Sequence, residues 1–361
     1  MIKFLDLEKQ RQRLQPQLDE AISKVLDHGK FIQGPEVFEL EKELQKYTGS
    51  KYCISVANGT DALLITQICL GIGPGDEVIM PGFNYISAAE TTSVLGAKPV
   101  YVDVSRYSYN INSDLIEDAI TTKTKAIIVT SLFGQCAHFD AINEVANKHN
   151  IPVIEDAAQS FGASYFGKKS CNLTDIAITS FFPAKPLGCY GDGGAIFTNN
   201  DEYDEKIRKI SKHGQSVKYM HKYVGLNSRL DTIQAAILLE KLKILDDEIN
   251  AKEKIANLYK KSFEDNGLDL HPLIYEHNQS AYAQYSICTN KRDEIITELK
   301  NNNIPYAIYY PLPIYKQEAY LDENIKLSNS EYLSENILSL PMGPYLDNED
   351  ISFIVDVVKS V

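Results

Sequence analysis

Three short stretches hold residue types that can do chemistry together. "SFFPAKPLGCYGDGGA", from Ser180 to Ala195, sets Lys185 between Pro183 and Pro186, with four glycines close behind. The prolines restrict the backbone and the glycines permit tight turns, so the amine sits on a fixed seat. "IPVIEDAAQSFGA", from Ile151 to Ala163, is an apolar run ending in Glu155 and Asp156. In an open α/β sheet such strand ends are where ligands bind, and a buried carboxylate there needs a cationic partner. "SVANGTDALLI" reads as strand, turn and helix, with Asn58, Gly59 and Thr60 where free N–H groups of a helix N-terminus point at an anion.

An aspartate and a lysine on neighbouring strand ends match the needs of pyridoxal phosphate. The amine condenses with the cofactor's aldehyde, and the carboxylate keeps the pyridine nitrogen protonated so the ring can accept carbanion electrons. A direct Asp156–Lys185 ion pair accounts for the same two residues equally well. Ordinary N-capping likewise accounts for Asn58 without any ligand. Other motifs carry less. Gly162, Gly167 and Lys168 have P-loop spacing, but Lys169 stands where a magnesium-binding Ser or Thr belongs, so the stretch reads as a surface hairpin. "GIGPGDE" lacks the spacing of a dinucleotide fingerprint. The seven histidines are scattered, His138 and His213 being the two functional candidates, and neither HExxH nor CxxC occurs, so no metal site is expected.

The elements that must hold these groups alternate. "KYCISVA", "DEVIMPG", "KPVYVDV", "KAIIVTSLFG", "IPVIEDAA", "IAITSFFP" and "GGAIFTNN" read as strands. "GTDALLITQICLGI", "ISAAETTSVLGA" and "FDAINEVANKHN" read as the helices between them, which predicts an α/β domain with a mostly parallel sheet. Leu14, Leu18, Ile22, Val25 and Leu26 predict an amphipathic N-terminal helix ending near Gly29. After about Asn227 one or two long helices follow, then a small α+β domain; we place the domains at residues 1–245 and 246–361.

The chain has 361 residues, is 44% hydrophobic and carries a formal net charge of -13. That acidity disfavours nucleic acid and anionic membrane as bulk partners. No run approaches a membrane span or a signal-peptide core. Together with six cysteines read as reduced thiols, this predicts a cytoplasmic protein.

Across essentially its whole length the sequence resembles the DegT/DnrJ/EryC1/StrS sugar-nucleotide aminotransferases, built on the fold type I aspartate aminotransferase scaffold. The likeness is carried by "FIQGPEVFELEKEL", "ANGTDAL", "DEVIMPGFNYISAAE", "GAKPVYVDV", "VIEDAAQSFGA", "SFFPAKPLGCYGDGGAIFTN", "NSRLDTIQAAIL" and "YYPLPIYKQ", in order. It implies pyridoxal 5'-phosphate as cofactor, Lys185 as the Schiff-base and proton-carrying lysine, and Asp156 as the pyridinium partner. It also implies Gln159 near the ring hydroxyl, Tyr85 stacked on the ring, and Gly59, Thr60 and Ser180 on the phosphate. Asn227 matches a residue that reaches the partner subunit's phosphate, which implies a homodimer with shared sites. Arg229, Tyr309 and Tyr310 are the sugar-binding candidates, although Tyr309 stands where many relatives have histidine. The implied reaction moves an amino group, with L-glutamate as donor and 2-oxoglutarate as its product, onto a nucleotide-linked keto-sugar for surface-polysaccharide (O-antigen) synthesis. A UDP-linked 2-acetamido-3-oxo-hexuronate is the expected acceptor, and a dTDP- or UDP-linked 3- or 4-keto-6-deoxy sugar the alternative. A sugar dehydratase of the same scaffold would carry histidine in place of Lys185, and a non-catalytic regulator would not need Lys185 and Asp156 both intact.

Overall fold

The computed structural model describes residues 2–361. Helix α1 (Leu7–His28) starts where the Asp6 side chain accepts from the Lys9 N–H and stops at Gly29 in the left-handed conformation. Its buried stripe is Leu14, Leu18 and Val25, whereas Leu26 faces solvent. Helix α2 (Pro35–Thr48) follows and leads into the sheet.

Seven strands form that sheet: β1 (Tyr52–Val56), β2 (Glu77–Pro81), β3 (Lys98–Val102), β4 (Thr124–Thr130), β5 (Val153–Asp156), β8 (Ile176–Ser180) and β9 (Gly194–Thr198). Between β5 and β8 lies the hairpin β6 (Ser164–Tyr165) and β7 (Lys168–Lys169), as expected for the false P-loop. The sheet order is β1-β9-β8-β5-β4-β2-β3. Neighbours are parallel except β9, which runs antiparallel to both β1 and β8. Helices α3 (Gly59–Cys69), α4 (Ser87–Val94) and α5 (Phe139–His149) make the crossovers.

Alternation along the strands sorts side chains onto two faces. Ile127, Val129 and Val153 enter one apolar layer with α2, α5 and α7 (Thr232–Leu242). Ala126, Ile128 and Ile154 enter the other, with α3, α4 and α6 (Asp201–Ile210). The same parity sends Glu155 and Asp156 to opposite faces. A hairpin of β10 (Gln215–Val217) and β11 (Met220–His221) projects after α6, with Val217, Tyr219, Met220 and nearby Val224 exposed.

Helix α8 (Leu245–Asp265) begins in the first layer through Leu245 and Ile249 and ends in a third apolar cluster through Ile255, Tyr259 and Phe263. That cluster also gathers α9 (Arg292–Asn301), the pair β13 (Tyr285–Cys288) and β14 (Ile337–Leu340), and α11 (Asn348–Lys359), with Ile2 against it. Strand β12 (Asn278–Gln279) pairs with β6 of the first hairpin. The chain from Ala307 to Ile314 crosses from the β14 edge to the end of β2, bonding Ser339 at one side and the Gly82 carbonyl at the other. Helix α10 (Ser328–Asn336) is fastened beside it, its Ser330 and Asn329 N–H groups donating to the Asp103 carboxylate. No helix among the described residues is long and apolar enough to cross a membrane.

Candidate active site

Strand register assembles the site. Thr130 ends β4 opposite Asp156 at the end of β5, while Ser180 ends β8 opposite Gly194, which in turn faces Val56 of β1. One row of strand ends therefore carries Asp156, Ser180 and the turn into α3. Lys185 follows on the loop that leaves β8.

Asp156 is buried and held on both oxygens. The Ala158 N–H donates to Oδ1 at 3.0 Å and the Thr130 hydroxyl to Oδ2 at 3.3 Å, while Asn84 donates to Thr130 at 2.7 Å. Burial raises its carboxyl above the ordinary range, against the Ala158 N–H, the Lys185 charge and the Thr130 hydroxyl. Burial lowers the Lys185 ammonium, with Asp156 pulling the other way, so the neutral amine that attacks a carbonyl becomes more accessible. The two do not touch: among the described residues no N–O approach within 4.0 Å joins them. The direct ion pair that the sequence left open is not formed.

The turn into α3 supplies donors. The Asn58 side chain accepts from the Asp61 N–H at 2.7 Å, and its carbonyl accepts from Ala62. The N–H groups of Gly59 and Thr60 thus stay free of side-chain and turn acceptors among the described residues. A Cβ on Gly59 would stand 2.8 Å from the Ser180 Cβ, so glycine is what lets this turn meet β8. The Ser180 hydroxyl accepts from the Phe182 N–H at 3.3 Å and keeps its own proton to donate.

Gln159 is fixed in orientation as well as place. The Phe133 N–H donates to its Oε1 at 2.9 Å, so its NH2 must face the other way, where it donates to the Tyr310 hydroxyl at 3.1 Å. Tyr310 packs between Phe83, at 6.0 Å between ring centroids, and Tyr85, at 6.1 Å. Burial raises the Tyr310 phenol, which stays protonated. Tyr85 itself is exposed. Tyr309 sits behind, against Tyr310 and Phe4.

Asn227 and Arg229 go elsewhere in the chain. Asn227 is exposed and bridges to Lys212; Ser228, between them, accepts from the Ala57 N–H at 3.0 Å. Arg229 lines a pocket with Gln33, Phe38, Glu41, Arg208 and Lys212. No hydrogen bond or ion pair among the described residues joins Asn227 or Arg229 to Lys185 or Asp156. Thr130 and Asn84, which hold the Asp156 carboxylate, were not picked out from the sequence. The readable signal was that Thr130 closes the strand next to β5.

These residues fit pyridoxal phosphate: anion donors at a helix N-terminus, a carboxylate able to pair with a pyridinium, an amine nearby and an exposed aromatic face. A seven-stranded sheet with such a site is the architecture of a fold type I pyridoxal-phosphate enzyme. The chain belongs to the DegT/DnrJ/EryC1/StrS aminotransferase family, whose model matches residues 12–359. It is 55% identical over 354 residues to UDP-2-acetamido-2-deoxy-3-oxo-D-glucuronate aminotransferase of Pseudomonas aeruginosa, covering 98% of each chain. It is 39% identical over 360 residues to dTDP-3-amino-3,6-dideoxy-alpha-D-galactopyranose transaminase of Aneurinibacillus thermoaerophilus, covering 99% of each. A crystal structure of a DegT/DnrJ/EryC1/StrS aminotransferase from Brucella abortus superposes with a TM-score of 0.96 at 43% identity, covering 100% of this chain and 99% of that one. The NtdA structure from Bacillus subtilis, with bound pyridoxamine phosphate, gives 0.89 at 31% identity, covering 96% and 82%. The protein is a pyridoxal-phosphate-dependent sugar aminotransferase.

Proposed function

We propose that the chain transfers the amino group of L-glutamate to UDP-2-acetamido-2-deoxy-3-oxo-D-glucuronate, in the cytoplasm, for surface-polysaccharide synthesis. The observation that carries this reading is 55% identity along 98% of the chain to the Pseudomonas enzyme named for that acceptor. Pyridoxal phosphate, when bound, supplies an aldehyde that takes up an amino group and a ring that accepts electrons. The Gly59 and Thr60 N–H groups and the Ser180 hydroxyl would hold its phosphate, and Asp156 its ring nitrogen. The Gln159 NH2 would donate toward the ring hydroxyl, and Tyr85 would cover the ring face. Lys185 would hold the cofactor at rest and, once released, carry a proton between substrate and ring as general acid and base.

The active form in this reading is a homodimer. Asn227 would reach the partner's phosphate, and the exposed Val217, Tyr219, Met220 and Val224 would be covered by the second copy. Arg229, away from its own Lys185, would then serve the partner's site. There a guanidinium fork could grip a uronate carboxylate bidentately.

The test runs the reaction in reverse. Purified enzyme with 2-oxoglutarate and a panel of UDP- and dTDP-linked amino sugars is assayed for glutamate. The 3-amino uronate is expected to react fastest. A preference for a neutral 6-deoxy sugar, the substrate class of the 39% identical relative, would overturn the uronate assignment and leave amino transfer standing.

A further inference from the structure

The loop that carries Lys185 is folded back on itself. The Lys185 N–H donates to the Phe182 carbonyl at 2.9 Å and the Cys189 N–H to the Phe181 carbonyl at 2.8 Å. Gly188 lies where a Cβ would stand 2.5 Å from the Pro183 carbonyl oxygen, so the fold-back admits no side chain there. One lysine outside the loop reaches into it. Lys241, on α7 and only 3% exposed, donates from Nζ to the Gly188 carbonyl at 2.6 Å and sits 4.5 Å above the Tyr190 ring. Gln234, two turns earlier on the same helix, accepts from the Tyr190 N–H at 2.9 Å.

We propose that Lys241 is a positioning residue for Lys185: from α7 its ammonium pins the Gly188 carbonyl and holds the Phe182–Tyr190 backbone still, so that Lys185 moves as a side chain and not as a loop. The inference rests on the reading of Lys185 given above. An ammonium is a poor choice for filling space in a helix packed this deeply. Burial drives its pKa down to about 8, only partly opposed by Glu248 on α8 and by Cys189. A methionine of similar length would fill the slot without that desolvation cost. What methionine lacks is the charge-assisted bond to Gly188. The ionisable groups on the loop itself are Lys185, lowered by burial with Asp156 pulling the other way, and Cys189 and Tyr190, both pushed upward by burial; Arg11 of α1 faces Tyr190.

The experiment compares wild type and Lys241→Met by hydrogen exchange, thermal melting and kinetics. The variant is expected to melt at the same temperature or higher. Its Phe182–Tyr190 amides should lose about tenfold in protection, the scale of one charged hydrogen bond. Its kcat should fall by a similar factor at unchanged acceptor KM. A decline of loop protection factors as pH rises through about 8 should appear in the wild type and be absent from Lys241→Met, which keeps Lys185. Unchanged loop protection, or a lower melting temperature with protection lost throughout the domain, would overturn the proposal. Borohydride reduction and peptide mapping of the wild type separate the two readings: a cofactor label on any residue but Lys185 removes the assignment of Lys185, whatever the exchange data show.

Discussion

Two adjacent carboxylates illustrate how strand parity divides labour. Asp156 points to the side of the proposed cofactor site, where Thr130 and Ala158 hold it without a cation in contact. Asp156→Asn keeps one oxygen for the Ala158 N–H, turns its NH2 toward Thr130, and cannot keep a ring nitrogen protonated. We expect it to fold with an unchanged melting temperature and to lose about a hundredfold or more in turnover, the scale of a lost acid–base interaction; near-normal turnover would remove Asp156 from that role. Glu155 points the other way, fully buried, taking bonds from the Ser170 hydroxyl at 2.6 Å and the Cys171 N–H at 3.0 Å. Burial pushes its carboxyl up from 4.5 to about 7. A folded pKa above the unfolded one stabilises the fold below about pH 4.5, and that contribution is lost as pH rises through 7. Glu155→Gln has no such loss. Between pH 5 and pH 8 its stability relative to wild type should improve by about 2–3 kcal/mol in denaturant titrations. Lys185 and Asp156 were legible in the sequence because a strand-end carboxylate and a proline-flanked lysine are local patterns. Thr130, Asn84 and the facing of the Gln159 amide were not, because each depends on which strand lies beside which.

Elements succeed or fail as sequence signals by length and contrast. The seven sheet strands are dense apolar runs and were readable. The β10–β11 hairpin, with two to three residues per strand, and β12, which exists only by pairing with β6, leave no periodic trace. Helix α6 is strongly amphipathic but sparse in apolar residues: in "DEYDEKIRKI" only Ile207 and Ile210 are buried. The junction between α3 and β8 gives the prediction that belongs at this scale. Gly59→Ala places a Cβ 2.8 Å from Ser180, where neither element can move without disturbing the sheet. The apoprotein should lose about 1–3 kcal/mol, typical of overpacking, and cofactor titration should show weakened pyridoxal phosphate binding. Retention of wild-type affinity would mean that the phosphate does not sit at this turn.

At the scale of the molecule, the β10–β11 arm projects from a chain in which Asn227 and Arg229 lie away from Lys185 and Asp156. Val224 is 91% exposed and Tyr219 77%, values expected of residues covered by another surface. If the proposed homodimer forms through this arm, Val224→Asp should shift sedimentation from dimer toward monomer and cost activity in proportion to the monomer formed. A wild-type protein that sediments as an active monomer at assay concentration would end the shared-site model. The family's scaffold could be read from the sequence along the whole chain. The direction in which Arg229 points could not, since its neighbours Glu41 and Arg208 come from distant elements.

The position of β9 has a consequence for synthesis. Strand β1, which leads into the turn before α3, has β9 as its only sheet neighbour among the described residues, and β9 is also what lies between it and β8. On the ribosome Gly59 and Lys185 both emerge before the strand that joins β1 to β8. A nascent chain ending before Gly194 carries Gly59, Asp156, Ser180 and Lys185 but lacks the strand that sets β1 in register beside β8. Until Thr198 is clear of the exit tunnel β1 waits without its sheet partner, so the candidate site is completed only after a long-range closure, the slow kind of step in folding.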